Sequence, residues 1–488
     1  MINFNQISAR EIKPGSYAEF SLINANTGLY DYPTRILVIG QKLATGSADE
    51  LTTQIIADED QAKALFGQGS QIALMCGIIL GIQDTIEVHA IAQDDAAASA
   101  TASGSIVVTN AATASGTLFL YIAGQGLQIG VSALDTAAEA AAKIVAAINE
   151  ENDLPVTAVI NGGDDTQVDI TSKNAGLTGN EIKIVTNYYR GEVLPEGFAI
   201  NITQLAGGTT NPDVTDVLDA IEGEWFTEFL MPYTDASNLK IMEDELERRF
   251  SPNVKMDATL SIAHRGTFAE NYTFTNAQNS EFVTCIDVPA DAPQPAYLWA
   301  AAIVAWTAFW SQQHPVRPYL GLVLKGIKPP KTRRTDAESR ILLNNGCTTW
   351  KVNADGNVSI ERLVTMYQVN AAGIEDDVFL DITKVKQLSF IRYDHNAYIS
   401  TLYFGEEARV LTTSEAAAAA STTLVTPKTI AASSTARAQL WISAGWVSEL
   451  VDIRAEVDQG DPTRVNMLMA IDPTDPLMII ATKMDIRG

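Results

Sequence analysis

Residues 35–40 read Arg35-Ile36-Leu37-Val38-Ile39-Gly40, four consecutive aliphatic side chains closed by a glycine. A strand with one wet face alternates apolar and polar residues, so an unbroken run fits a strand buried on both faces, as in a parallel sheet covered by helices. Working outward, residues 57–66 and 71–82 carry helical patterns and 85–92 is the next strand. Further along come a helix at 212–221, a strand at 225–231, a helix at 236–250, strands at 258–263 and 282–288, and an apolar helix at 296–313. This alternation predicts an α/β fold with a wound, mostly parallel sheet.

Between the two halves of that pattern lies a different one. Small-residue stretches at 94–104 (DDAAASATASG) and 206–211 (AGGTTN) bracket a segment with its own elements. Strands are expected at 117–122, 128–131, 155–160, 167–171 and 181–189. A helix at 136–150 opens with Thr136 and Glu139 at capping-box spacing. The reading is a small α+β domain inserted into the larger one. Residues 91–225 hold 18 acidic and 4 basic residues, net −14 of the chain's −26.

From about residue 331 the character changes again, with a helix at 335–345, strands at 348–352 and 358–367 around an Asp355-Gly356 hairpin turn, and a helix at 426–449. Both ends alternate like short strands with one apolar face: Ile2 and Phe4 at the start, Ile480, Thr482, Met484 and Ile486 at the finish. The expected layout is an N-terminal arm (1–24), an α/β core (25–95 and 209–330), the acidic insert (96–208), a C-terminal α+β domain (331–464) and a C-terminal arm (465–488).

Composition narrows the function. With 46% hydrophobic and 19% charged residues over 488, the chain has the make-up of a folded protein. A net charge of −26 repels phosphate backbones and anionic lipid surfaces, which argues against nucleic acid and membranes as partners. Residues 1–10 lack the basic and apolar regions of a secretory signal. The longest apolar stretch, 296–310, is too short to span a bilayer. Cys76, Cys285 and Cys347 are widely spaced and odd in number, so neither a disulfide framework nor a zinc site is expected, and a reducing compartment during assembly fits.

Chemical signatures fail in turn. After Gly40 the chain continues Gln41-Lys42-Leu43, which lacks the glycines a dinucleotide turn requires. Gly321 and Gly326 have Walker spacing, but Ile327 stands where the lysine belongs. His89, His264, His314 and His395 share no metal-ligand pattern, and no nucleophile elbow occurs. Acidic pairs such as Asp164-Asp165 and Asp376-Asp377 sit in turn-like contexts that suit solvated loops. No cofactor, metal or small-molecule substrate is expected. One segment opposes the overall charge: residues 325–340 carry Lys325, Lys328, Lys331, Arg333, Arg334 and Arg340 against Asp336 and Glu338. It is either a solvated loop or a docking surface for an acidic partner.

Several stretches together resemble the Mu-like contractile tail sheath proteins of bacteriophages. These are 13–20 (KPGSYAEF), 35–41 (RILVIGQ), 65–75 (LFGQGSQIALM), 317–330 (RPYLGLVLKGIKPP), 361–373 (ERLVTMYQVNAAG), 388–394 (LSFIRYD), 425–428 (VTPK) and 461–466 (DPTRVN). The resemblance implies a non-enzymatic virion tail subunit, assembled in the host cytoplasm as stacked hexameric rings around a tail tube. It implies baseplate and tail terminator proteins as further partners. It also implies contraction without ATP, driving the tube through the host envelope. Under it, Ile2, Phe4, Ile480, Thr482, Met484 and Ile486 belong to arms that add strands to neighbouring subunits. Lys325, Lys328, Lys331, Arg333 and Arg334 become candidates for contacting an acidic surface on the tube or an adjacent subunit. The acidic insert is expected on the outer surface, able to shift as a rigid body on its linkers. The rival readings are another virion tail or baseplate component and, further off, a soluble α/β nucleotide-binding enzyme.

Overall fold

The strand at 35–40 lies in the interior of the largest sheet. A computed structural model describes Gly15 and residues 28–405 and 408–486; Ile2 and Phe4 lie outside the described residues. The chain forms two units: Pro33–Phe390 with Asp475–Gly488, and Met1–Tyr32 with Ile391–Thr474.

In the first unit, β1 (Arg35–Gln41), β2 (Thr53–Ile56), α1 (Glu59–Phe66), α2 (Gln71–Ile82) and β3 (Glu87–Gln93) precede the insert. The insert comprises β4 (Thr101–Asn110), β5 (Gly116–Ile122), β6 (Gln125–Val131), α3 (Ala137–Glu150), β7 (Val156–Ile160), β8 (Gln167–Ala175), β9 (Ile184–Thr186) and β10 (Ala199–Ala206). The core resumes with α4 (Thr215–Ala220), β11 (Glu228–Leu230), α5 (Ala236–Phe250), β12 (Thr259–Gly266), α6 (Phe268–Asn276), β13 (Val283–Pro289), α7 (Ala296–Gln313), α8 (Asp336–Asn344), β14 (Cys347–Val352) and β15 (Val358–Arg362).

The eight core strands run in the order β15-β14-β13-β12-β11-β1-β3-β2. All neighbours from β14 to β3 pair parallel, and the two outermost strands, β15 and β2, are antiparallel. Ile36 to Ile39 are fully buried, as the unbroken aliphatic run requires. Gly40 has a packing reason: a Cβ there would stand 2.7 Å from Met75 Cε and 3.2 Å from Ile72 Cβ, so its absence lets α2 lie close on β1. α2 and α5 begin on side-chain caps, Ser70 and Asp235 accepting from the backbone N–H three residues on.

The insert has its own apolar core, separate from that of the main sheet. β10-β4-β8-β7 form one antiparallel sheet and β6-β5-β9 another. α3 carries the expected capping box between Thr136 and Glu139. Three expectations change. The small-residue stretch at 94–104 contains the start of β4, β10 was not foreseen, and the expected strand at 181–189 shrinks to β9. Ala, Ser and Thr in β4 read as a linker, yet β4 lies inside its sheet between β10 and β8, where backbone pairing holds it. The insert's charge also falls: β4 to β10 contain 11 acidic and 4 basic residues, and five further acids, Asp213 to Glu224, belong to the core side.

The boundary expected at 331 is corrected. β14 pairs with β13, Cys285 opposite Cys347, so the Asp355-Gly356 hairpin extends the core sheet. The turn itself forms as read, with Gly356 at φ 86°. Cys285 and Cys347, distant in sequence, are adjacent, buried and unbridged.

A helix absent from the sequence reading, α9 (Ile382–Tyr403), contains the division between the units. The second unit adds β16 (Val410–Leu411), α10 (Glu415–Ala419), β17 (Leu424–Val425), α11 (Pro427–Ser443), β18 (Val447–Val457) and β19 (Val465–Pro473). The helix expected over 426–449 therefore stops at Ser443, where Gly445 takes φ 73° and the chain turns into β18. Residues 465–473, expected as arm, are instead the second strand of the β18–β19 hairpin.

Candidate assembly surfaces

In an open α/β sheet, ligands bind beyond the carboxyl ends of the strands where the winding direction reverses. Here that point lies between β1 and β11, and the insert occupies it. Gln41 Nε2 donates to Asp95 Oδ1 and to the Ala175 carbonyl, both at 2.6 Å. Asn174 Nδ2 donates to the Lys42 carbonyl at 2.9 Å, and Gln71 Nε2 to Thr178 Oγ1 at 2.9 Å. Asn211 bridges Asp235 and the Leu177 backbone N–H, at 2.8 and 2.9 Å. Lys63 and Asp153 add an ion pair at 2.7 Å. The crevice that serves nucleotides in other wound sheets is thus filled by this protein's own polar side chains. The same network revises the expectation that small-residue linkers leave the insert free to shift, because it is fastened at several points. Among the described residues no three metal-ligating side chains gather, and no helix is long and apolar enough to cross a membrane.

The basic segment divides on inspection. Arg334 is used internally, its Nη2 and Nε donating to Asp287 at 2.8 and 3.0 Å and its Nη2 also to the Gly266 carbonyl. Asp287 is buried, so this pair fixes the loop after α7 to β13. Lys328 donates to Tyr189 Oη at 2.7 Å and lies near the rings of Tyr121, Tyr188 and Tyr189. Tyr188 Oη in turn donates to the Pro329 carbonyl at 2.6 Å, so Lys328 joins core to insert. Lys325 donates to the Gly81 carbonyl at 2.7 Å. Of the five expected docking residues, Arg334 is sequestered and Lys328 mostly so; Lys331 and Arg333 stand exposed, and Lys325 is exposed with its ammonium partly used.

Among the described residues the C-terminal segment forms no strand. Residues 474–486 are irregular, and Leu477, Ile480 and Ile486 are 66%, 77% and 95% exposed. The strand expected through Ile480, Thr482, Met484 and Ile486 is therefore not formed: among the described residues it has no ladder to join. In the second unit, β18 and β19 pair only with each other, which leaves both edges of a two-stranded sheet open among the described residues. Such a ribbon is marginal alone and is a ready acceptor for further strands.

A family model for the central domain of phage tail sheath proteins matches residues 207–366. Over 472 residues, 96% of each protein, the chain is 34% identical to the Mu-like prophage FluMu tail sheath protein of Haemophilus influenzae. The chain belongs to the phage tail sheath family. That is a structural family, not an enzymatic one, which accords with the filled crevice. The matched central domain runs through β15, so it includes the hairpin that sequence reading had placed in a separate domain. The fold is similar to that of a sheath tail protein from Desulfitobacterium hafniense, with a TM-score of 0.51 at 12% identity, covering 95% of this sheath chain and 97% of that one. A looser overlap, TM-score 0.48 at 10% identity, covers 97% of this chain and 98% of a chain in the contracted helical sheath of the anti-feeding prophage.

Proposed function

We propose that this sheath protein polymerises as stacked hexameric rings around a tail tube and contracts to drive the tube through a host envelope. Baseplate and terminator proteins would bound the stack. The observation that carries this reading is the pairing of two unmet needs. An apolar C-terminal segment is left in solvent, and a two-stranded ribbon is left with open edges. Exposed aliphatic side chains and unpaired strand edges are costly in a lone subunit, and both needs are met when the segment of one copy adds to the ribbon of another. Heterologous contacts of this type propagate rather than close on a dimer. The N-terminal segment with Ile2 and Phe4 is assigned the same role by its sequence pattern.

The acidic insert belongs on the outer surface, where like charge is hydrated, and Lys331 with Arg333 face an acidic partner. Energy for contraction resides in two alternative packings of subunit contacts, with no nucleotide involved. Deleting residues 476–488 tests the reading. The expected product is a folded, soluble monomer by sedimentation, while the full chain forms tubes of uniform width by negative-stain microscopy. Tubes formed by the truncated chain would overturn it.

A further inference from the structure

Two grooves of opposite charge lie at opposite ends of β14 within one unit. At the hairpin end, Arg190, Lys328, Lys331 and Arg333, set against one acid, Asp355, line a groove of about 650 Å³ floored by Tyr188, Tyr189, Pro329 and Pro330. Arg190 and Lys331 take no salt bridge within the described chain. Beyond the other end, a groove of about 980 Å³ is walled by Glu375, Asp376 and Asp377, and no lysine, arginine or histidine lines it. β14 itself, Cys347–Val352, spans roughly 17 Å at about 3.3 Å per residue, about two Debye lengths at physiological salt, so one chain's grooves neutralise each other poorly.

The acidic wall belongs to a presented loop. Asn370 N donates to the Ile374 carbonyl at 2.9 Å and Gly373 N to the Asn370 carbonyl at 2.8 Å, making a tight turn. Beyond it Ile374 and Val378, 63% and 54% exposed, flank Glu375, Asp376 and Asp377. Exposed aliphatic residues on either side of three acids match a groove that offers cations beside tyrosine and proline faces. In a chain with 59 acidic and 33 basic residues, so concentrated a basic patch needs an acidic occupant to be stable in an assembly.

We propose that residues 374–378 of one copy seat in the Arg190–Lys331–Arg333 groove of the next. The two surfaces differ, so the contact is head-to-tail and repeats in one direction, which is the geometry a ring or helical stack requires. It rests on the assembly reading above but concerns a different surface from the terminal segments, and names this chain itself as the acidic partner.

The test uses the full-length chain. Lys331→Cys combined with Asp377→Cys, under mild oxidant, is expected to give a ladder of disulfide-linked multimers on a non-reducing gel, since the native cysteines are buried. Lys331→Glu with Arg333→Glu, and separately Glu375→Lys with Asp377→Lys, are each expected to cut the assembled fraction about tenfold, and combining all four to restore it to within about threefold. A ladder confined to dimers, unchanged assembly in either reversal, or a combined variant worse than both would overturn the contact. If the wild-type chain forms tubes but no ladder appears, the contact fails and the assembly reading stands. If no tubes form, the assembly reading fails, and the ladder still decides the contact.

Discussion

Arg437 and Asp394 form a two-pronged ion pair whose side chains are 2% and 0% exposed. Arg437 Nε donates to Asp394 Oδ2 at 2.7 Å, and Trp441 Nε1 donates to the same oxygen at 2.7 Å. The Tyr30 backbone N–H donates to Oδ1 at 2.8 Å, and Arg437 Nη1 donates to the Gly28 carbonyl at 2.9 Å. One carboxylate therefore fastens α9, α11 and the segment at 28–30 together.

Breaking that pair from one side should be costly, because a buried charge is left with too few partners. Arg437→Leu is expected to destabilise the second unit by about 3–5 kcal/mol. Hydrogen exchange across α11 and limited proteolysis near residues 391–443 would report it, with the core sheet unaffected. Unchanged protection in the variant would show that Asp394 is adequately held by Trp441 and Tyr30 alone.

The first unit has a counterpart. Lys386 on α9 is buried against Glu228 of β11 and donates to Thr259 Oγ1 at 2.8 Å. Glu228 Oε2 also accepts from Thr259 and Thr307, at 2.9 and 3.2 Å. Burial pushes the Lys386 ammonium below its ordinary range, although Glu228 opposes the shift. Lys386→Met should cost about 3–5 kcal/mol, whereas Lys386→Met with Glu228→Gln should recover most of it, since the amide keeps both threonine bonds. Urea melts of the four-member cycle measure the coupling. A double variant no better than the single would mean the lysine stem, not the charge, is what the site requires.

Gly40 separates packing from ligand binding. Gly40→Ala places a Cβ against Met75 and Ile72 and is expected to destabilise by about 1–3 kcal/mol, with Met75→Ala in the same chain relieving part of the strain. A phosphate-binding glycine would behave differently, with little change in stability and lost nucleotide affinity. Thermal melts with and without ATP distinguish the two.

Much of this was legible in the sequence where one local rule governed the outcome. RILVIG announced a doubly buried strand, Thr136 with Glu139 a capped helix, and Asp355-Gly356 a hairpin, because each depends on neighbours a few residues away. The misplaced boundary at 331 has a different cause. Joining β14 to β13 requires a crossover through α7 and α8, and a basic stretch within it looked like a change of domain. α9 escaped because its buried positions include the polar Lys386, Gln387 and Asp394, which leave no apolar stripe; Lys386 and Asp394 take partners from distant strands and helices. β18 and β19 escaped because neither has a buried face: β18 is mostly exposed and β19 mostly half-buried, so no alternation marks them. The Ala444-Gly445 pair was the available signal that the helix before them ended. Neither groove of the proposed head-to-tail contact was visible as such, since Arg190 and Lys331 meet only through the fold.

The junction of insert and core should also be sensitive to acid. Asp235 is half-buried, which alone would raise its pKa, but Asn211, Ser237 and Asn238 all donate to the carboxylate and hold it below the usual range. A depressed folded pKa means that the ionised form is favoured in the fold. That stabilisation is complete above the unfolded value of about 3.9 and is lost as pH falls from there through the folded value. Asp235→Asn keeps the shape but not the charge, and for a half-buried group the expected cost at neutral pH is about 1 kcal/mol. The gap between variant and wild type should then narrow as pH drops below about 4, because protonated Asp235 resembles the amide. Since Asn211 links Asp235 to Leu177, exchange protection at residues 175–180 should fall over the same range in the wild type and stay flat in the variant. A gap independent of pH would show that Asp235 acts as a neutral cap for α5 and contributes no charge to the junction.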